Sequence, residues 1–272
     1  MFTTRDNLGF ADPVLFEQAT RQHRSYRDQL PDTAVRTLAS EVISRLSTRF
    51  DSTNQPQSKV AVSSLEDFCH ALARADDEVC LNMVNAMIAD GASVATVYLT
   101  YLGGAARLLG TWWEEDKASF AEVTIGTGRI YALLYALRPG LIERNPVYRK
   151  RAVFASVPGE QHFLGVTMAA DMFRARGWDI DLHTGCEHEE LVALVDEVNP
   201  AFIGFSGSGQ RAVLPLLRLL VAVRAGHPGA YILVSGNVAN FDLDMTEVTG
   251  ADLVTTDIEA AYADMQRLFK RA

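Results

Sequence analysis

Three residues sit at a spacing that could do chemistry together. They are Glu160, His162 and Gly165, in the stretch PGEQHFLG between the apolar run AVFASV and the helix-like VTMAADMFRA. An imidazole can ligate a metal through one ring nitrogen while a nearby carboxylate orients the other. Taken singly, His162 is equally a polar residue at a helix start, and Glu160 an acid capping the helix that follows. His183, Cys186 and His188 form an H-x-x-C-x-H cluster, but that spacing matches no standard zinc set and reads as a solvated loop. Neither the G-x-G-x-x-G dinucleotide fingerprint nor the G-x-x-x-x-G-K-[ST] phosphate loop follows the first apolar run, so nucleotide binding loses its best support. No nucleophile–base pair or carboxylate dyad has a spacing that argues for stand-alone catalysis.

The elements that must position these residues follow from periodicity. From about residue 149, short apolar runs alternate with amphipathic stretches: AVFASV, WDIDLH, AFIGFS, AYILVSG and ADLVTTD, each followed by a helical pattern. Five such units predict a parallel sheet wrapped on both faces by helices, a doubly wound α/β domain over 149–272. Ligands in such a domain sit beyond the carboxyl ends of the strands. The third and fourth tips carry Ser206, Gly207 and Ser208, then Ser235 and Gly236, small residues that let the backbone approach a ligand closely. A slot between these tips is expected, which a leucine at 236 would block while leaving the fold largely intact. Residues 61–145 are helical in pattern throughout, with four candidate helices that predict a small bundle. Residues 1–60 form an arm with one amphipathic candidate over 33–49, where Val35, Leu38, Val42, Ile43 and Leu46 recur at helical spacing, and then a polar linker. The basic stretch RQHRSYRDQL reads as a solvated arm or a protein-docking segment, and YRKR at 148–151 as a linker.

With these residues in place, the chain resembles the cobalamin-binding domain family. Its D-x-H-x-x-G signature appears here as Glu160-x-His162-x-x-Gly165, its S-x-L as Ser206-Gly207-Ser208, and its G-G as Ser235-Gly236. The resemblance implies a flavodoxin-like, Rossmann-like fold in which His162 is the lower axial cobalt ligand, replacing the cofactor's own dimethylbenzimidazole. It also implies that Glu160 orients that histidine and that the displaced tail enters a slot lined by Ser206 and Gly236. The upstream bundle resembles the helical cap of such proteins, with Gly110-Thr111-Trp112-Trp113 as the G-x-x-W element. Adjacent helix positions point about 100° apart, so one tryptophan belongs to the core, and Trp113 is expected to face the ligand. Light-sensing cobalamin regulators carry Glu-His ten and eleven positions after that tryptophan, the histidine serving as upper ligand; here those positions are Val123 and Thr124. The stretch FAEVTIGTGRIYALL looks most like the AerR/PpaA group of photosynthesis-gene regulators, which join a short N-terminal extension to this cap and domain.

That resemblance implies a cobalamin cofactor in adenosyl, methyl or hydroxo form, and a light- or redox-responsive regulator acting on a transcription factor. Two alternatives use the same histidine: a corrinoid carrier of a methyltransferase system, and a haem-binding redox or gas sensor. Composition bounds the rest. A formal charge of -9 over 272 residues repels polyphosphate, so strong direct nucleic-acid binding is not expected. No apolar run approaches the roughly 18 residues of a membrane helix, and MFTTRDNLGF has no export signal, which predicts a cytoplasmic protein. Three scattered cysteines form no CxxC pair and suit a reducing compartment.

Overall fold

The computed structural model describes residues 9–28, 62–142, 150–240 and 245–269. They fall into two compact units, one holding the described residues up to 142 and the other those from 150 onward.

The first unit is helical. The patterned segments form α2 (Val62–Arg74), α3 (Asp77–Ala89), α4 (Val94–Thr96) running through a π-helical stretch (Val97–Leu102) into α5 (Gly103–Glu114), and α6 (Phe120–Leu141). The helix starts have clear causes. The Ser93 hydroxyl accepts from the Thr96 N–H, and Ser119 and Glu122 form a reciprocal capping box at the start of α6. Small residues let the helices close: a Cβ on Gly126 would lie 2.8 Å from Leu109 Cδ1. The buried Arg129 joins three elements. Its Nε is 2.8 Å from Asp77 Oδ1 and its Nη1 donates to the Leu72 carbonyl at 2.7 Å, satisfying a helix-end acceptor that the core would otherwise orphan.

A helix that periodicity did not bring out precedes these, α1 (Pro13–Asp28). Asp12 caps it, accepting from Val14 N at 2.9 Å and Leu15 N at 3.2 Å. Phe16 and Thr20 are buried on this helix, and Ala11 is buried just before it. The segment docks on α6 through Asp12 N to the Ala136 carbonyl (2.9 Å) and reaches α3 through Ala11 N to Asn85 Oδ1 (3.0 Å). Gly140 permits the closest approach, since a Cβ there would sit 2.7 Å from Gly9 Cα. The helix expected over 33–49 lies outside the described residues.

The second unit is the doubly wound domain: β1 (Lys150–Ser156), α7 (Leu164–Arg174), β2 (Trp178–His183), α8 (His188–Val198), β3 (Phe202–Ser206), α9 (Val213–Gly226), β4 (Tyr231–Ser235), α10 (Met245–Thr249), β5 (Leu253–Val254) and α11 (Ile258–Phe269). All pairings are parallel, in the order β2-β1-β3-β4-β5. Alternation along each strand splits the core into two layers. Val153, Ala155, Ile203 and Phe205 pack with Leu191 of α8 and Leu216 of α9, while Ala152, Phe154 and Phe202 pack with Phe173 of α7 and Met265 of α11. Strand order reverses between β1 and β3, so the crevice for a ligand opens at their carboxyl ends.

Candidate cofactor site

Glu160 and Ser208 come from the two tips that flank this reversal, and they meet. The buried Glu160 carboxylate gathers donors from both sides. Oε1 accepts from Gln161 N (2.8 Å) and His162 N (2.8 Å) and lies 2.7 Å from His162 Nδ1. Oε2 accepts from Ser208 N at 2.6 Å and Ser208 Oγ at 2.7 Å. Burial alone would push this carboxyl up, but the hydrogen bonds from His162 and Ser208 outweigh it and hold the group at about 2. An ionised carboxylate only accepts, so it fixes the proton of the imidazole on Nδ1 and leaves a lone pair on Nε2. Ser208 Oγ, 2.8 Å from Nδ1, closes the triangle. The resulting site is a locked tautomer with one nitrogen aimed away from its anchors.

That nitrogen, Nε2, is buried and has no hydrogen-bond partner among the described residues. An orphaned buried acceptor is costly unless a ligand completes it. Among the described residues no group of three or more His, Cys, Asp or Glu side chains is placed to hold a metal ion. His183 Nε2 is likewise buried without a hydrogen bond, but it lies 3.1 Å from Asp181 Oδ1, whereas no carboxylate is that close to His162 Nε2 among the ion pairs of the described residues. A single imidazole donor suits a metal that brings its own equatorial ligands, as in a corrin or porphyrin. Beside it a Cβ on Gly165 would meet nothing within 4 Å, so the first turn of α7 presents bare backbone to open space. The residues therefore fit a macrocyclic metal cofactor, to which His162 would offer its Nε2.

The third and fourth tips are closely stitched. Ser206 and Ser235 are register partners, Gly207 N donates to the Ser235 carbonyl at 3.1 Å, and Val238 N donates to the Gly207 carbonyl at 3.1 Å. Gly236 has φ +83°, and a Cβ there would sit 2.4 Å from the Gly207 carbonyl oxygen and 2.9 Å from Ser206 Oγ. A side chain at 236 therefore collides with the β3 tip itself. The expectation that a leucine there would leave the fold largely intact is corrected by this contact.

In the helical unit, Trp112 is buried against the His70 ring (centroids 4.5 Å apart), whereas Trp113 is half-buried with Phe120 edge-on at 6.0 Å. Val123 and Thr124 are half-buried on the first turns of α6. Arg74 braces this corner: its Nε is 2.5 Å from Glu122 Oε1, and hydrogen bonds from Arg74 and Ser119 hold the Glu122 carboxyl at about 2.

The folded geometry now meets its relatives. Residues 150–265, the α/β unit, match the family model described as B12 binding domain. The chain is 28% identical over 169 residues, 60% of its length and 87% of the relative's, to an uncharacterized 20.5 kDa protein in the bchF-crtJ intergenic region of Rhodobacter capsulatus. Among solved structures it is similar to the monomethylamine corrinoid protein of Methanosarcina barkeri, at 15% identity and a TM-score of 0.65, covering 76% of this chain and 98% of that one. It is also similar to a cobalamin-binding protein from Desulfitobacterium hafniense, at 18% identity and a TM-score of 0.40, covering 75% and 97%. Among the described residues no helix is long and apolar enough to cross a membrane.

Proposed function

We propose that the α/β unit holds a cobalamin through His162 Nε2 and that the chain is a cofactor-dependent regulator acting on a transcription factor. One observation carries the cobalamin reading: Glu160 and Ser208 lock the His162 tautomer at the switch point and leave its buried Nε2 without a partner. When bound, cobalamin supplies a cobalt–carbon or cobalt–water bond that responds to light and redox state.

The chain's own residues then have defined tasks. Glu160 keeps the Nδ1 proton and fixes the orientation of the ring. Ser208 holds the carboxylate from the β3 side, so the ring is anchored to both strands that flank the crevice. Ser206, Gly207, Ser235 and Gly236 shape the neighbouring tips, with Ser206 and Gly236 the candidates to border the displaced tail. None of Trp113, Val123 and Thr124 carries an imidazole, so these positions supply no histidine to the cofactor's upper face. A ligand shifts a conformational equilibrium only by interacting differently with its two states. Adenosyl and hydroxo forms differ in bulk on that face and are the natural inputs. The regulatory part of the reading is supported by the relative encoded in a photosynthesis gene region.

The test is a titration of the purified protein with adenosyl-, methyl- and hydroxocobalamin and with haem, followed by absorption spectra in the dark and after illumination. Cobalamin binding, with partner capture that depends on cofactor form, is the expected result. Haem binding in place of cobalamin would establish the porphyrin sensor, and partner capture indifferent to cofactor and light would favour the corrinoid carrier.

A further inference from the structure

The Glu160–Ser208 contacts hold His162 from the β3 side, while the β2 side is held by a different residue. Ser156, the last residue of β1, is 1% exposed, and its hydroxyl oxygen accepts from Gly185 N at 3.1 Å. Gly185 lies in the turn between β2 and α8 with φ +72°, a left-handed conformation open to glycine. An ideal Cβ on Gly185 would be 3.7 Å from Phe163 Cζ, an ordinary van der Waals distance, so the tip of the phenyl ring faces the glycine of the turn. Phe163 follows His162, and its carbonyl accepts the Thr167 N–H at 2.9 Å at the start of α7. Ser156, Gly185 and Phe163 thus form a continuous physical chain to the backbone of the histidine.

We propose that Ser156 is a positioning residue for His162: by pinning the β2–α8 turn it clamps Phe163, which fixes the backbone from which the imidazole projects. This rests on the reading of His162 as the cofactor ligand, but its first consequence is visible without cofactor. Glu160 and Ser208 set the ring's proton and tilt. The Ser156 clamp sets where the ring's base stands. A hydroxyl is required because the Gly185 N–H is left without its acceptor when the oxygen is removed.

The experiment compares the full chain with Ser156→Ala, Ser156→Thr and Phe163→Leu. Amide hydrogen exchange is read by NMR in the cofactor-free protein, and the fraction of histidine-ligated cobalamin is then measured against pH. A lost neutral hydrogen bond corresponds to about twofold to tenfold faster exchange at Gly185 in Ser156→Ala. The same variant should speed exchange across 161–163 and shift the pH profile of histidine ligation. Ser156→Thr, which keeps the oxygen, should restore both. Phe163→Leu trims the contact from its other end at a half-buried position, so it should loosen 161–163 while Gly185 stays protected. Unchanged exchange at 161–163 in both Ser156→Ala and Phe163→Leu would overturn the proposal. So would failure of threonine to rescue. A parent chain that binds no cobalamin would sink the cofactor reading, whereas the exchange results decide the clamp separately.

Discussion

Replacing Glu160 by glutamine is the sharpest perturbation of the site, because the side chain keeps its shape and loses one acceptor oxygen. Oε1 serves three donors and Oε2 two. An amide that keeps its oxygen toward His162 must turn its NH2 onto Ser208, leaving the Ser208 backbone N–H unsatisfied, a loss of about 1–3 kcal/mol. Linkage gives an independent figure. A carboxyl held at about 2 rather than the ordinary 4.5 corresponds to roughly 3 kcal/mol. The side chain of His162 is 30% exposed, and solvent screening at this mouth reduces the figure to about 1–2 kcal/mol. The sign is fixed by the lowered value. The stabilisation is complete above the unfolded value of 4.5 and is lost as pH falls from there toward about 2. Urea unfolding of parent and Glu160→Gln, followed by far-ultraviolet circular dichroism, should therefore differ by about 2 kcal/mol at pH 7. The gap should shrink by roughly 1 kcal/mol at pH 3.5. Equal stabilities at pH 7, or a gap of the same size at both pH values, would refute the carboxylate's role as the ionised hub.

Gly236→Ala should destabilise by about 2–4 kcal/mol in thermal or urea unfolding, combining positive-φ strain with a backbone clash; a neutral result would show that the β3–β4 tips are not locked together. Arg129→Met should cost about 3–5 kcal/mol, because it removes the ion pair to Asp77 and the donor to the Leu72 carbonyl from a buried corner, and Asp77→Asn should cost less. Burial pushes the Cys69 thiol up to about 12 and the Cys80 thiol up to about 11, while Cys186 is half-buried. Thiol titration of the native protein at pH 8 should thus find one reactive cysteine, Cys186, and three only after denaturation. Two or three fast-reacting thiols in the native protein would contradict the packing of α2 and α3.

Much of this was legible in the sequence for identifiable reasons. The β3 and β4 segments, FIGFS and YILVS, are short apolar runs bounded by glycine and proline, and a strand buried on both faces needs that pattern. Glu160 and His162 are two positions apart, so their pairing could be anticipated locally. Ser208 is 48 residues from Glu160, and only the β1–β3 pairing shows that its hydroxyl and N–H both end on that carboxylate. Gly236 likewise reads as a permissive tip until the β3 backbone is seen 2.4 Å from its missing Cβ. Helix α1 escaped because Phe16 and Thr20 are its buried residues among the described side chains, with Leu15 and Ala19 half-buried, and most of PVLFEQATRQHRSYRD is polar. The signal that could have found it was Asp12-Pro13, a cap followed by proline at the first helical position. Ser156 carried no signal at all, since a serine at a strand end is ordinary until its partner across the turn is known.

The central claim, that His162 Nε2 takes the metal of a bound cobalamin, is tested most directly by electron paramagnetic resonance of the cob(II)alamin complex. The protein is prepared with ordinary histidine and with nitrogen-15 histidine, and His162→Ala serves as the control. Coupling of the unpaired electron to the axial nitrogen splits each cobalt line into a triplet for ordinary nitrogen and a doublet for the heavy isotope. The account predicts that labelling histidine converts triplets to doublets and that His162→Ala abolishes the conversion. Triplets that persist with labelled histidine would mean that the axial nitrogen belongs to the cofactor itself, and would contradict the assignment.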